Sequence, residues 1–214
     1  MKILNLPRQQ RGRIFLAILV AVVALAAGLT AANRWMQSTT EFRALQAFPT
    51  PRAVADFALE TASGEPFSLD DMDGRWNLLF FGFTNCPDVC PDTLAMLDQS
   101  MQQLTLMRRE TLPQVIFVSV DPERDQGESL ADYVSWFNSD FIGVTGPEPQ
   151  LVALTRQLGV AYFRETPDDD TGFYNVDHSA AVLLVGPEGR LVGRFAHPLD
   201  PALVTADLFQ LTGS

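Results

Sequence analysis

Two cysteines set between an apolar run and an amphipathic one constrain this chain more than any other feature. Cys86 and Cys90 are its only cysteines. Ahead of them Leu78 to Phe83 is short, apolar and aromatic-rich, the pattern of a buried strand. Behind them Leu94, Leu97, Met101 and Leu104 recur at helical spacing. The cysteines therefore fall on a strand-to-helix connection, at or just before a helix N-terminus. Free backbone N–H groups and the positive end of the helix dipole there favour thiolate over thiol. If the segment is helical, positions four apart share a face and lie about 6 Å apart. That spacing suits two sulfurs on one metal ion, and it also falls within reach of a disulfide. A structural disulfide would close only a tiny loop and contribute little through chain entropy. That leaves a structural disulfide less favoured than metal binding, thiol redox chemistry, or both.

The second constraint lies at the N-terminus. Ile14 to Ala32 carries no charge over 19 residues, enough for a helix of about 28 Å that crosses a bilayer. Lys2, Arg8, Arg11 and Arg13 precede it, while only Arg34 and Arg43 follow closely, so the N-terminus is expected in the cytoplasm. A cleaved signal peptide is the competing reading, but its apolar core is normally shorter and no convincing cleavage site follows the run. Trp35 fits an interfacial anchor. The expected organisation is a cytoplasmic segment 1–13, an anchor 14–32, a linker 33–52 closed by Pro49 and Pro51, and a folded domain 53–214. From Asn33 onward 11 basic residues face 26 acidic ones, a net −15 that argues against a nucleic-acid partner. It suits either a cationic partner or simple solubility outside the cytoplasm.

Within the domain, short strands are expected at Val54 to Leu59 and Phe67 to Leu69, then at Trp76 to Phe83. The cysteine loop, a helix, a buried strand at Val115 to Val120 and a helix from Ser129 to Phe137 follow. A strand at Phe141 to Val144, a helix ended by Gly159 and a strand at Val160 to Arg164 come next. Ser179 to Val185 and Leu191 to Phe195 flank Gly186-Pro-Glu-Gly189 as a hairpin, and Pro201 to Leu211 closes the chain as a helix. This order predicts an α/β fold, a thioredoxin-like mixed sheet flanked by helices. Such a fold brings the loop before the hairpin, with His178, beside the cysteines.

Two thiolates and an imidazole form a soft, three-coordinate set. Structural zinc takes four protein ligands, and calcium or magnesium wants oxygen. Sulfur and nitrogen donors suit copper, trigonal for Cu(I), with Asp88 or another oxygen available to complete a Cu(II) site. Alternatively, Cys86 and Cys90 are a redox-active pair. His197 reads as structural or solvent-exposed. Asp121, Arg124 and Asp125 either cap the helix after them or support the site. Pro87 and Pro91 shape the loop and the first helical turn.

Three segments then carry a family likeness: Phe81-Gly-Phe-Thr-Asn-Cys-Pro-Asp-Val-Cys-Pro91, Val118-Ser-Val-Asp-Pro-Glu-Arg-Asp125 and Val176-Asp-His-Ser179. In order and spacing the chain resembles the SCO/SenC family from about Ala53 to Leu211. Asn85 and Leu183 depart from residues frequent in the family, at positions that are not ligands there. The resemblance implies a copper site of Cys86, Cys90 and His178. It also implies a membrane anchor and a domain facing the periplasm or the mitochondrial intermembrane space, and the cell inner membrane, with the domain in the periplasm, is the expected location. The implied role is copper delivery to, or reduction of the cysteines of, the binuclear copper site in cytochrome c oxidase subunit II.

Overall fold

The computed structural model describes residues 17–30 and 41–213. The basic residues of segment 1–13, Trp35 and the expected linker up to residue 40 lie outside the described residues. Residues 17–30 form helix α1, its side chains exposed. Among the described residues no helix is long and apolar enough to cross a membrane, and both ends of the uncharged run 14–32 lie outside them.

A second unit begins at Phe42. It contains, in chain order, β1 (Leu45–Ala53), β2 (Leu59–Thr61), β3 (Pro66–Phe67), β4 (Asn77–Gly82), α2 (Val89–Leu106) and β5 (Gln114–Ser119). Then follow α3 (Gly127–Phe137), β6 (Ile142–Thr145), α4 (Glu148–Leu158), β7 (Tyr162–Arg164), β8 (Val176–His178), β9 (Val182–Gly186), β10 (Arg190–Phe195) and α5 (Pro201–Leu211). Eight strands form one sheet in the order β1-β10-β9-β4-β5-β6-β2-β3. β4, β5 and β6 run parallel, whereas β9 is antiparallel to β4. The mixed sheet flanked by helices is thus present.

β4 reads Asn-Leu-Leu-Phe-Phe-Gly and is buried at every position, and β5 is nearly so. Near-continuous apolar runs of this kind belong to central strands covered on both faces. α4 ends where expected: Gly159 adopts φ +75, the left-handed conformation that closes a helix without a Cβ clash. α5 starts on Asp200, whose carboxylate accepts from the N–H groups of Ala202 (2.9 Å) and Leu203 (3.2 Å), with Pro201 at the first helical position.

The domain begins earlier than the sequence suggested. Residues 45–52, expected within the linker, are sheet: β1 pairs antiparallel with β10. Pro49 and Pro51 made the segment read as a tether. They are tolerated because β1 is the outermost strand, and the register shifts between Ala47 and Arg52. Its start is fixed by Asp207 on α5, 1% exposed, which accepts from the N–H groups of Arg43 (2.9 Å), Ala44 (2.7 Å) and Leu45 (2.8 Å). Further boundaries differ, among them Leu69, expected to end a strand, which instead opens a 3-10 turn after β3. Val54 to Ala58 is not strand, and β2 occupies only Leu59–Thr61. The strand expected from Ser179 starts at Val182, while Val176–His178, expected as loop, is β8 and pairs with β7 as a ribbon outside the main sheet.

Candidate metal centre

β4 delivers the chain to the cysteines, but only one of them is helical. Cys86 lies in the connection and Cys90 in the first turn of α2, so the single helical face imagined from the sequence begins after Cys86. Cys90 is fully buried and Cys86 nearly so, and neither is in a disulfide. β8 ends on His178, which is half-buried. Its Nε2 stands 3.3 Å from Cys90 Sγ and 3.9 Å from Cys86 Sγ. All three donor atoms lie within 4.8 Å of one another, although 88 residues separate His178 from the nearer cysteine.

The imidazole is held in one orientation. Nδ1 lies 3.2 Å from the carbonyl oxygen of Ser179. A carbonyl only accepts, so Nδ1 is the donor of this bond, and in the neutral ring that binds a metal Nε2 is the nitrogen whose lone pair faces the sulfurs. A backbone partner on the far nitrogen of a metal-binding histidine fixes tautomer and direction in this way. The rings of Phe80 and Phe83 stand edge-on to the imidazole at 6.1 Å and 6.0 Å.

The two sulfurs are electrostatically unlike. The Cys90 thiol hydrogen-bonds to Cys86, and His178 and then the N–H groups of Cys90 and Asp88 add to it; together they outweigh burial and hold Cys86 far below a free thiol. The same contact with Cys86, then burial, pushes Cys90 upward. Cys86 is therefore the thiolate and Cys90 the donor. Limited alkylation of the reduced chain is expected to label Cys86 and spare Cys90, at a rate that hardly changes between about pH 6 and 8. Peptide mapping of the labelled chain reads this out, and label found mainly on Cys90 would refute it.

The pocket for Cys90 is cut into β4. A Cβ added to Gly82 would lie 2.5 Å from Cys90 Sγ and 2.9 Å from Cys90's neighbour Phe117. Glycine here reflects a close approach, since the sulfur fills the space of the missing side chain.

Two acidic residues after β5 hold the flanking loops. Asp125, wholly buried, accepts from the Thr84 N–H (2.7 Å), the Thr84 hydroxyl (2.6 Å) and the Ser119 hydroxyl (2.6 Å). It thereby pins the connection two residues before Cys86. Asp121, also wholly buried, accepts from the Tyr174 hydroxyl (2.7 Å) and pairs with the Arg124 Nε. The Arg124 guanidinium lies 3.6 Å over the Tyr174 ring and donates to the Tyr174 carbonyl (3.0 Å). Burial and the Asp121 carboxylate push the Tyr174 phenol up to about 12, so it stays a donor at neutral pH. Tyr174 lies two residues before β8 and four before His178. Helix capping is not the role of Asp121 or Asp125, because the α3 N-cap is Gln126 and no side chain caps it.

Cys86, Cys90 and His178 are the residues that the fold assembles. Asp88 and His197 are exposed and stand outside the group of close donors. Thr84, Ser119, Gly82 and Tyr174 were not singled out by sequence. Thr84 and Ser119 sit inside the motifs that were, whereas Tyr174 has no sequence signal of its own. The donor set, two sulfurs and one nitrogen in a mostly apolar surround, fits a soft ion in low coordination better than a hard one.

Residues 46–213 match the family model described as SCO1/SenC. A "Putative copper-binding protein" of Stutzerimonas stutzeri is 40% identical over 151 residues, 71% of this chain and 72% of its own length. The human protein "Protein SCO1 homolog, mitochondrial" is 34% identical over 174 residues, 80% of this chain but 57% of its own length, so the chain spans little more than half of it. The crystal structure of Arabidopsis thaliana ScoI with copper bound superposes with a TM-score of 0.68 at 31% identity, covering 74% of this chain and 97% of the other.

Proposed function

The chain belongs to the SCO1/SenC family, and from that premise we propose that it is a membrane-anchored copper chaperone. Cys86, Cys90 and His178 hold one copper ion as cargo and pass it to the binuclear copper site of cytochrome c oxidase subunit II. The observation that carries this reading is the set of three soft donors, gathered within 4.8 Å from separate elements, with the imidazole lone pair facing both sulfurs. Copper is named in the descriptions of the bacterial relative and the plant structure. Thiolate and imidazole stabilise Cu(I), and an incoming thiolate can enter a three-coordinate site without first displacing a ligand.

The anchor proposed is residues 14–32, with 1–13 in the cytoplasm and the folded domain in the periplasm. The uncharged run and the four basic residues before it support this placement.

Anaerobic titration of the reduced full chain with Cu(I) is expected to saturate at one ion per chain, and the chain oxidised to its Cys86–Cys90 disulfide should take up none. A reduced chain that binds no copper would sink the reading.

The inequality of the sulfurs favours thiol–disulfide exchange as a second reading. The Cys86 thiolate would attack a partner disulfide and release one partner thiolate. Cys90, once deprotonated, would then attack Cys86 and release the other. The partner gains two electrons, the cysteine pair loses two, and an external dithiol restores it.

A further inference from the structure

Both cysteines are nearly or wholly enclosed, and beside His178, the most exposed of the three donors, lies a hollow of about 330 Å³ lined by Tyr162, Phe163, Asp177 and Ser179. The β7–β8 ribbon forms that wall. Its two faces differ. Tyr174 and Val176 point inward and are buried. On the alternate positions Phe163 is 66% exposed and Phe173 is 61% exposed. Phe163 stands opposite Asp177, and the pairing runs on through Glu165 N–H to Asn175 O (2.9 Å) and Asp168 N–H to Phe173 O (2.8 Å). Phe173 is thus displaced by four residues from Asp177 on the same face, roughly 13 Å at about 3.3 Å per residue.

The surround of these rings is acidic. Between Tyr162 and His178 lie Glu165, Asp168, Asp169, Asp170 and Asp177 against one basic residue, Arg164. Arg164 is already paired with Glu148 and stands 4.0 Å from Glu123, so it offers no free positive charge outward. Two large exposed aromatics inside a rim of one charge sign, on the ribbon that carries one of the three donors, are the anatomy of an interface.

We propose that this outer face, Phe163 and Phe173 within their carboxylate rim, is the docking surface for a copper-exchanging protein whose own contact face sets lysines or arginines around apolar side chains. The proposal rests on the copper reading above. Charge selects the occupant: a second copy would bring the same acidic strip, and an anionic lipid surface would be repelled.

The test uses the full chain in detergent, loaded with one Cu(I). Copper transfer is followed to two synthetic dithiol peptides of equal length, one flanked by lysine and leucine and one by glutamate and leucine. At low salt the lysine peptide is expected to take copper roughly tenfold faster, with the gap closing as salt approaches about 0.5 M. The variant Phe163→Ser with Phe173→Ser should load normally and slow transfer to the lysine peptide severalfold. Equal rates for the two peptides at low salt, or an unchanged rate in the double variant, would overturn the proposal alone. A change in sedimentation of the double variant without a change in transfer would do the same, assigning the face to self-association. Failure to load copper at the first step would instead remove the copper reading, and the docking surface with it.

Discussion

His178→Ala is expected to lower the Cu(I) affinity of the reduced chain by at least about 100-fold while leaving Cys86 the cysteine that is preferentially alkylated. Losing even an outer partner of a metal ligand typically costs 10–100-fold, so removing a ligand should exceed that range. The two effects separate because the imidazole is a full donor to the ion but only a secondary support of the thiolate. Nε2 is the third donor, whereas Cys86 is held low first by Cys90, with His178 next and the backbone N–H groups after it. The fold should survive, since His178 is half-buried at the end of a short ribbon and the Tyr174 anchor stays in place. Competition against a Cu(I) chelator measures the affinity. A variant within fivefold of wild type would show that the two sulfurs suffice and that the histidine has another task.

Asp125→Ala is expected to cost about 3–5 kcal/mol of stability, among the larger effects available to a single surface-free substitution. It strands three donors at once: the Thr84 N–H, the Thr84 hydroxyl and the Ser119 hydroxyl. Asp125→Asn should cost less, because the amide oxygen keeps an acceptor in place. The difference between wild type and Asp125→Asn also carries a pH signature. Burial raises the Asp125 pKa, against its hydrogen bonds, which pull it down. A carboxyl raised on folding contributes its full stabilisation below the unfolded value, about 3.9, and loses it as pH rises through the folded value. The advantage of wild type over the asparagine variant should therefore shrink from pH 4 to pH 7. Urea unfolding of both at the two pH values decides it, and an advantage that grows with pH would contradict the buried-carboxyl account.

The loss at Asp125 should reach the metal centre through Thr84, and this kind of link is where sequence reading stops. The centre of the fold was legible because β4, β5 and α2 are periodic and apolar, and because Gly186 and Gly189 mark a hairpin. The three donors were legible because cysteine and histidine are rare in this chain. β1 was not, since a strand with two prolines resembles a linker until its edge position is known. β8 was too short to show a period, so His178 was expected on a loop. Tyr174 gives no signal because its importance lies in three contacts with Asp121 and Arg124, more than 50 residues away along the chain for Asp121. Asp121 and Asp125 had suggested both a cap and a support, and only the identity of the atoms that donate to them separates the two.

Gly82 has a further consequence. Cys90 Sγ occupies the volume that any side chain at position 82 would need, a volume that the Phe117 ring also borders. That sulfur is therefore a packing atom of the hydrophobic core as well as a donor, and interiors packed to crystal-like density move little. One vertex of the ligand triangle is set by the barrel of side chains behind it, and only the Cys86 and His178 vertices can open or tighten as an ion enters or leaves. A methyl group at position 82 would shift the one vertex that has no slack.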